Sequence, residues 1–331
     1  MHTPSPVVSV VIAAYNDAVH LEECLDALAR QDYGRDHYEV IVVDDGSTDE
    51  TATVAQAQGW VHYRYQENAG PSSARNLGVR ESKGEILAFT DSDCVPEPGW
   101  LSALVAVFES ADEDLGAVGG PHIAHPGDVL FAWEVDQFLQ RIGWAGGYMK
   151  GSSHPGKVRH VASCNASYRR DVFCRAGGFR PGLFPGEDVD LDRRLHQIGH
   201  CIHFTPVARI FHHRPAGQTA WRRMLRSYGE SSGNNIRLHS PFRLIHILPP
   251  LLLGNLLFLM LLCLATPFAF WFMAGEALAF FLLCVYLSRP ALGFLRTLRF
   301  ACETMVYYSL GYWTRLIFFT PMPLAAHLFE E

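Results

Sequence analysis

Val7 to Ala14 is a β-branched run too short for a helix with its own caps, and it suits a strand buried on both faces. Asp17 to Gln31 then carries Leu21, Cys24, Leu25 and Leu28 at helical spacing. Tyr38 to Val43 is a second apolar strand that stops at Asp44 and Asp45, and a helix follows with Ser47 or Thr48 as its cap. The cycle repeats with a strand at Trp60 to Tyr65, a Gly-Pro turn, a helix at Ser72 to Ser82, and a strand at Glu85 to Thr90 that stops at Asp91. This alternation predicts an α/β fold with a mostly parallel central sheet and helices on both faces. Ligands of such sheets bind beyond the C-terminal strand ends. Tyr15, Asp45 and Asp91 stand at three of those ends and are expected to meet in one crevice.

From Gly116 to Gly182 the pattern loosens into a stretch rich in Gly and His, with Phe131 to Ile142 as its clearest helix. It reads as a mobile acceptor-binding region. A helix at Glu187 to Gln197 and short strands at Cys201 to Phe204 and Val207 to Phe211 follow. Leu244 to Gly275 holds no Asp, Glu, Lys or Arg, which suits one membrane span and the start of another at Phe268 to Leu287, with Pro267 at the turn. Glu276 in the second span should face another helix or lie near an interface, because a carboxylate in lipid costs roughly 2.5 to 3.5 kcal/mol. Arginines flanking the pair fit a hairpin with both ends cytoplasmic. The expected division is a catalytic domain over 1–240, a transmembrane hairpin over 241–289 and a helical tail over 290–331, the tail being interfacial or a third span.

Composition sharpens this in three ways. Apolar residues make up 49% and charged residues 18%, with the apolar excess at the C-terminus, so the N-terminal portion is the soluble part. A net charge of -7 argues against a non-specific nucleic-acid binder. The eight cysteines form no CxxC pair and read as reduced thiols. The N-terminus shows no secretory leader pattern, so the N-terminal portion is expected on the cytoplasmic side.

Four constellations carry candidate chemistry. In "VVDDGSTDE" a strand-end carboxylate can accept a uracil imide N–H or a ribose hydroxyl, or can simply close a strand ahead of a helix cap. In "FTDSDC", Asp91 and Asp93 flank Ser92, and alternate loop carboxylates can share a hard cation such as Mg2+ or Mn2+; solvated aspartates are the bland reading. In "PGEDVDLDRRL", Glu187 and Asp188 open a helix, as partners of its dipole or with Asp188 as a general base. In "RIFHHRP", His212 or His213 could complete a metal site with Asp93, touch a diphosphate, or be structural.

In their order and joint spacing, "VSVVIAAYN", "VIVVDDGSTD", "NAGPSSARNLG", "FTDSDC", "CNASYRRDVF", "GEDVDL" and "FHH" resemble glycosyltransferase family 2, whose catalytic domain has the GT-A fold; the resemblance covers about residues 7 to 215. It implies a donor-binding set of Ala13, Tyr15, Asp45, Arg75, Asp91, Ser92, Asn165 and Arg169. Tyr15 and Asp45 would hold the base, and Asn165 and Arg169 would line the acceptor side of the donor pocket. It implies Asp93 and His212 as ligands of a divalent metal, Mg2+ or Mn2+, and Asp188 as the catalytic base with Glu187 in support. The implied reaction inverts the anomeric carbon, moving one sugar from a nucleotide-sugar, most often a UDP-sugar, to a hydroxyl of a lipid-linked or saccharide acceptor. The implied setting is cell-envelope glycan assembly at a bacterial inner membrane, with membrane lipids as partners and no nucleic acid. The QxxRW motif of processive synthases is missing, and "WRRMLRSYG" stands in its place, which favours single-sugar transfer; its arginines face lipid headgroups or a pyrophosphate. A polyprenyl phosphate acceptor and a non-catalytic nucleotide-sugar-binding scaffold are the competing readings.

Overall fold

Val10 and Ile12 point to one side of their strand and Val11 to the other, and all three are fully buried, which requires a layer on each face. The computed structural model describes residues 7–110, 112–143, 154–239, 244–288, 292–318 and 324. Its strands are β1 (Val8–Ala14), β2 (Tyr38–Asp44), β3 (Val61–Tyr65), β4 (Ile86–Asp91), β5 (Cys94–Pro96), β6 (Leu115–Gly119), β7 (His122–Ala124), β8 (Gly156–Val158), β9 (Ala166–Arg169), β10 (Cys201–Phe204) and β11 (Ile210–His212). The main sheet has eight strands in the order β3-β2-β1-β4-β9-β6-β10-β8. β1 to β4 pair in parallel, as does β6 with β10, so the expected mostly parallel sheet is present. β9 runs against both β4 and β6 in the middle of the sheet. A second sheet of three strands, β5-β11-β7, stands beside it.

Described residues within 1–126, 146–213 and 322–331 form one compact unit, and those within 127–145 and 214–321 form another. In the first, helices α1 (Ala18–Ala29) and α4 (Trp100–Glu109) bury Leu21, Leu25, Trp100 and Leu104 with Val10 and Ile12. On the opposite face Phe89, Tyr168, Phe173 and Phe179 cluster with Val11 and Leu191, their ring centroids 5.1–5.9 Å apart. Helix α2 is Thr51–Ala57, and α3 is Pro71–Glu81. A Cβ on Gly78 of α3 would lie 2.4 Å from Val11 Cγ1, so glycine lets this helix sit directly on the sheet.

Gly116 to Gly182, expected as loose, contains β6 to β9 and two helices, Leu130–Arg141 and Arg170–Arg175; its residues 144–153 lie outside the described ones. β5 and α4 have no counterpart in the sequence-based expectation.

The second unit is helical. Phe138, Trp221 and Phe300 meet with centroids 5.4–6.1 Å apart and form the centre of its core. Helix Gln218–Leu238 packs on the tail, which is a helix Phe294–Glu303, a π turn Thr304–Tyr308 and a helix Ser309–Phe318. A Cβ on Gly229 would lie 1.9 Å from Tyr308 O, and one on Gly311 would lie 2.1 Å from Arg226 O, so these backbones touch where only glycine fits. Glu303, nearly buried, accepts from Gln218 Nε2 at 2.7 Å and from Arg222 Nη2 at 2.9 Å. Arg222 therefore turns to protein, Arg226 pairs with Glu230, and Arg223 is exposed.

Among the described residues one helix, Phe268–Leu287, is long and apolar enough to cross a membrane, and most of its residues are not buried. The preceding helix Leu244–Leu262 contains Pro249 and Pro250, and its apolar part is shorter. Pro267 caps Phe268–Leu287, at the expected turn. Asn255 Nδ2 donates to Glu276 Oε2 at 3.0 Å, so the carboxylate does face the neighbouring helix.

Candidate active site

Parallel pairing aligns the strand ends. Ala13 stands opposite Asp91, and Ala14 opposite Asp44, so the loops after β1, β2 and β4 leave the sheet side by side. Tyr15, just past β1, is 54% exposed. Asp45 is buried, and its carboxylate accepts from Gln66 Nε2 at 2.6 Å and from the backbone N–H groups of Ala69 and Gly70 at 2.9 Å each. Asp45 thus fastens the loop after β3 to the end of β2. Gly46 turns the chain directly after Asp45 at φ +83°, where a Cβ would lie 2.8 Å from Asn68 N in that loop. Asp44 serves the same turn, accepting from Ser47 N at 2.8 Å and Tyr63 Oη at 2.9 Å.

Arg75, on α3, is 4% exposed and donates to Asp91 Oδ1 and Glu187 Oε1 at 2.7 Å each. It joins the loop after β4 to the first turn of helix Glu187–Gln197. Burial would lower the Arg75 pKa, but Asp91 and Glu187 outweigh it and hold the guanidinium above its ordinary value. Burial pushes Glu187 up to about 7 against the pull of Arg75. Ser92 donates to Asp17 Oδ2 at 2.6 Å, and Asp17 Oδ1 holds His20 Nδ1 at 2.5 Å.

His212 pairs in register with Cys94, across the antiparallel β5 and β11, and this brings its ring beside Asp93. His212 Nε2 lies 3.3 Å from Asp93 Oδ2, while His213 Nε2 lies 3.1 Å from Glu23 Oε2. Of the two histidines, His212 is the one beside Asp93. Burial opposes charge on His212, but Asp93 outweighs it and pushes the imidazole up to about 10. Asp93 is in turn held below its ordinary value, burial being overcome by His212. A dication could replace the proton this pair shares. One carboxylate and one imidazole, with Asp93 36% exposed, suit a cation that completes its shell with water and phosphate oxygens. Cys164 and Cys94 thiols lie within 4.8 Å of the His212 ring nitrogen.

Asp188 lies in the first turn of its helix behind Gly186, which has φ +102°. Its Oδ1 accepts from Val189 N at 2.8 Å and its Oδ2 from Ser163 N at 3.3 Å. His160 Nε2 stands 3.8 Å from Asp188 Oδ2, and His160 Nδ1 is 2.8 Å from Asp192 Oδ2. Asp192 also accepts from Tyr168 Oη at 2.9 Å and Val161 N at 2.9 Å. Burial opposes charge on His160; Asp188 and then Asp192 outweigh it and raise its pKa.

Ala13, Tyr15, Asp45, Arg75, Asp91, Ser92, Asp93, Glu187, Asp188 and His212 all lie at or next to these strand-end loops. Asn165 and Arg169 have other work. Asn165 is 1% exposed; it accepts from Trp100 Nε1 at 2.8 Å and donates to Pro121 O and Ala208 O at 3.0 and 2.9 Å, so its amide is spent holding loops together. Arg169 pairs with Ile86 at the start of β4, the end of the sheet away from Asp91, and donates to Leu115 O and Phe108 O. The reversed direction of β9 is the reason. Asp17 and His160 were missed. Asp192 had a readable signal, since it lies four residues after Asp188 on one helix face; His160 had none.

The family description Glycosyl transferase family 2 matches residues 9–175, half of the chain, and the chain belongs to that family. Glycosyltransferase AglE of Haloferax volcanii is 32% identical over 210 residues, covering 62% of this chain and 66% of its own length. Validoxylamine A glucosyltransferase of Streptomyces hygroscopicus subsp. jinggangensis is 30% identical over 220 residues, covering 59% of this chain and 52% of its own length. The chain thus spans no more than two thirds of either relative. Its fold is that of the mannosyltransferase PcManGT from Pyrobaculum calidifontis, solved with GDP-Man and Mn2+, at TM-score 0.61 and 24% identity over 94% of this chain and 88% of that one. This is a GT-A-like α/β fold.

Proposed function

We propose that the chain is an inverting glycosyltransferase that moves one sugar from a nucleotide-sugar to a hydroxyl of a membrane-proximal acceptor, lipid-linked or saccharide. The observation that carries this reading is the Arg75 bridge. By joining Asp91 to Glu187 it holds the Asp91-Ser92-Asp93 loop and the first turn bearing Asp188 at one crevice.

Tyr15 offers an exposed ring for the base, and Asp45 a fixed carboxylate at the same strand end. Asp93 and His212 would hold Mg2+ or Mn2+, which when bound would offset the charge of the departing diphosphate. Asp188 takes the proton of the acceptor hydroxyl, and His160 beside it keeps the carboxylate in place. Helix Phe268–Leu287, with the apolar helix before it, supports attachment to a bacterial inner membrane with the catalytic unit on the cytoplasmic side.

The test is a panel of UDP- and GDP-sugars, the latter included because of the GDP-Man in the Pyrobaculum structure. Detergent-purified protein with Mn2+ or Mg2+ should release nucleoside diphosphate in the presence of acceptor. Asp188→Asn should lower turnover on hydroxyl acceptors by roughly 10²- to 10⁴-fold. Full turnover in Asp188→Asn rules out the base. Turnover on polyprenyl phosphate that survives this substitution, with none on hydroxyls, would mean that the acceptor is a phosphate.

A further inference from the structure

β7 and β11 run parallel with His122 opposite Ile210 and Ala124 opposite His212, so the residues that follow, His125 and His213, emerge together. Their ring centroids are 4.3 Å apart. Glu23 meets both. It stands on α1, with Oε1 3.2 Å from His125 Nε2 and Oε2 3.1 Å from His213 Nε2. His20, three residues earlier on the same helix face, places its ring 4.6 Å from that of His213. Asp17 takes His20 Nδ1 at 2.5 Å, which leaves Nε2 as the nitrogen open to a ligand.

We propose that Glu23, His125 and His213 form a second metal site, for a zinc-type cation, separate from the Asp93–His212 pair. One carboxylate with an imidazole nitrogen on each oxygen is satisfied by two protons or by a single dication replacing both. The donor set decides which cation. Two imidazoles and one carboxylate suit Zn2+, Co2+ or Ni2+, whereas Mg2+ prefers oxygen throughout. Three protein ligands leave a tetrahedral position for water or His20, and the Asp17–His20 pair has the form in which a carboxylate orients a metal-binding histidine. Phe211 closes one side, its ring 5.9 Å from His125.

Such a cation would pin α1 to the ends of β7 and β11. Two bonds carry that constraint to the donor loop: His213 N donates to Asp93 O at 3.0 Å, and Ser92 donates to Asp17. The second metal is therefore a positioning device for the loop that carries Asp93, whatever reaction that loop serves.

The test uses the full chain in detergent, stripped with chelator, in an Asp93→Ala background that removes the first pair. Zn2+ is titrated by calorimetry and Co2+ by its d–d absorption. One equivalent should bind. His125→Ala or Glu23→Gln, each added to Asp93→Ala, should weaken binding by at least about 100-fold, the upper end of what losing even an outer-shell partner costs. Coincident melts of the metal-free variants show that the fold is kept; Glu23 and both rings are partly exposed, so side-chain loss there is mild. Absence of binding in Asp93→Ala, or binding unchanged in both double variants, overturns the site. Binding that is lost instead on adding Cys164→Ser assigns the ion to Cys94, Cys164 and His212 and overturns it equally.

Discussion

Arg75→Met keeps most of the side-chain volume and removes the charge that Asp91 and Glu187 share. Glu187 is 4% exposed on its side chain, so it cannot exchange the lost partner for water, whereas Asp91 at 29% partly can. Burial already pushes Glu187 up to about 7 with Arg75 in place. Without Arg75 it must take up a proton at neutral pH or stay charged and unpaired. Removing one partner of a buried pair typically costs about 3–5 kcal/mol. At roughly 2–4 °C per kcal/mol for a unit of this size, the melting temperature should fall by about 6–20 °C. The assay is thermal melting of detergent-purified wild type, Arg75→Met, Glu187→Gln and the double variant. Adding Glu187→Gln to Arg75→Met should restore roughly 0.5–3 kcal/mol, because the orphaned carboxylate is gone. A fall under about 2 °C in Arg75→Met, or a double variant as unstable as the two singles added, would refute the bridge.

Tyr15→Ala should change stability by less than about 0.5 kcal/mol, since the side chain is mostly in solvent. It should raise the donor KM about 5- to 150-fold, the range of about 1–3 kcal/mol for an aromatic on a base; an unchanged KM removes Tyr15 from the donor site. Charge on His160 contributes stability that is complete below its ordinary value of 6.5 and is lost as pH rises through its raised folded value. The melting gap between wild type and His160→Gln should therefore narrow as pH is raised from about 6 to about 9, and a gap that widens contradicts the assigned direction. Gly229→Ala places a methyl against Tyr308 O and should destabilise the helical unit by about 1–3 kcal/mol. An unchanged melt would mean that the two helices can move apart freely.

The strand ends were legible because each is an apolar run closed by a polar pair, and parallel pairing then brings Tyr15, Asp45 and Asp91 to the same end of the sheet. His212 and Asp188 could be singled out from local sequence, since both adjoin recognisable elements. What escaped depends on pairing between distant segments. Nothing within "ASYR" says that β9 runs backwards, and that direction alone decides that Ser163 reaches Asp188 while Arg169 does not. Likewise described residues within 127–145 cluster with the C-terminal helices because Phe138 finds its partners in Trp221 and Phe300, some eighty or more positions away. His125 could not be paired with His213 before the register of β7 and β11 was known.

The reversal of β9 also sorts the middle of the chain by what a mutation there can reach. Residues 154–165 arrive at the edge of the sheet that carries Asp91, so a change in their length or shape is delivered to the neighbourhood of Asp188. Residues 170–175 leave from the opposite end of the strand, where Arg170 meets Gly84 and Val79 and the same change stops at scaffold. Four residues of strand therefore separate a region where sequence drift should retune the enzyme from one where it should only alter how firmly the sheet is held.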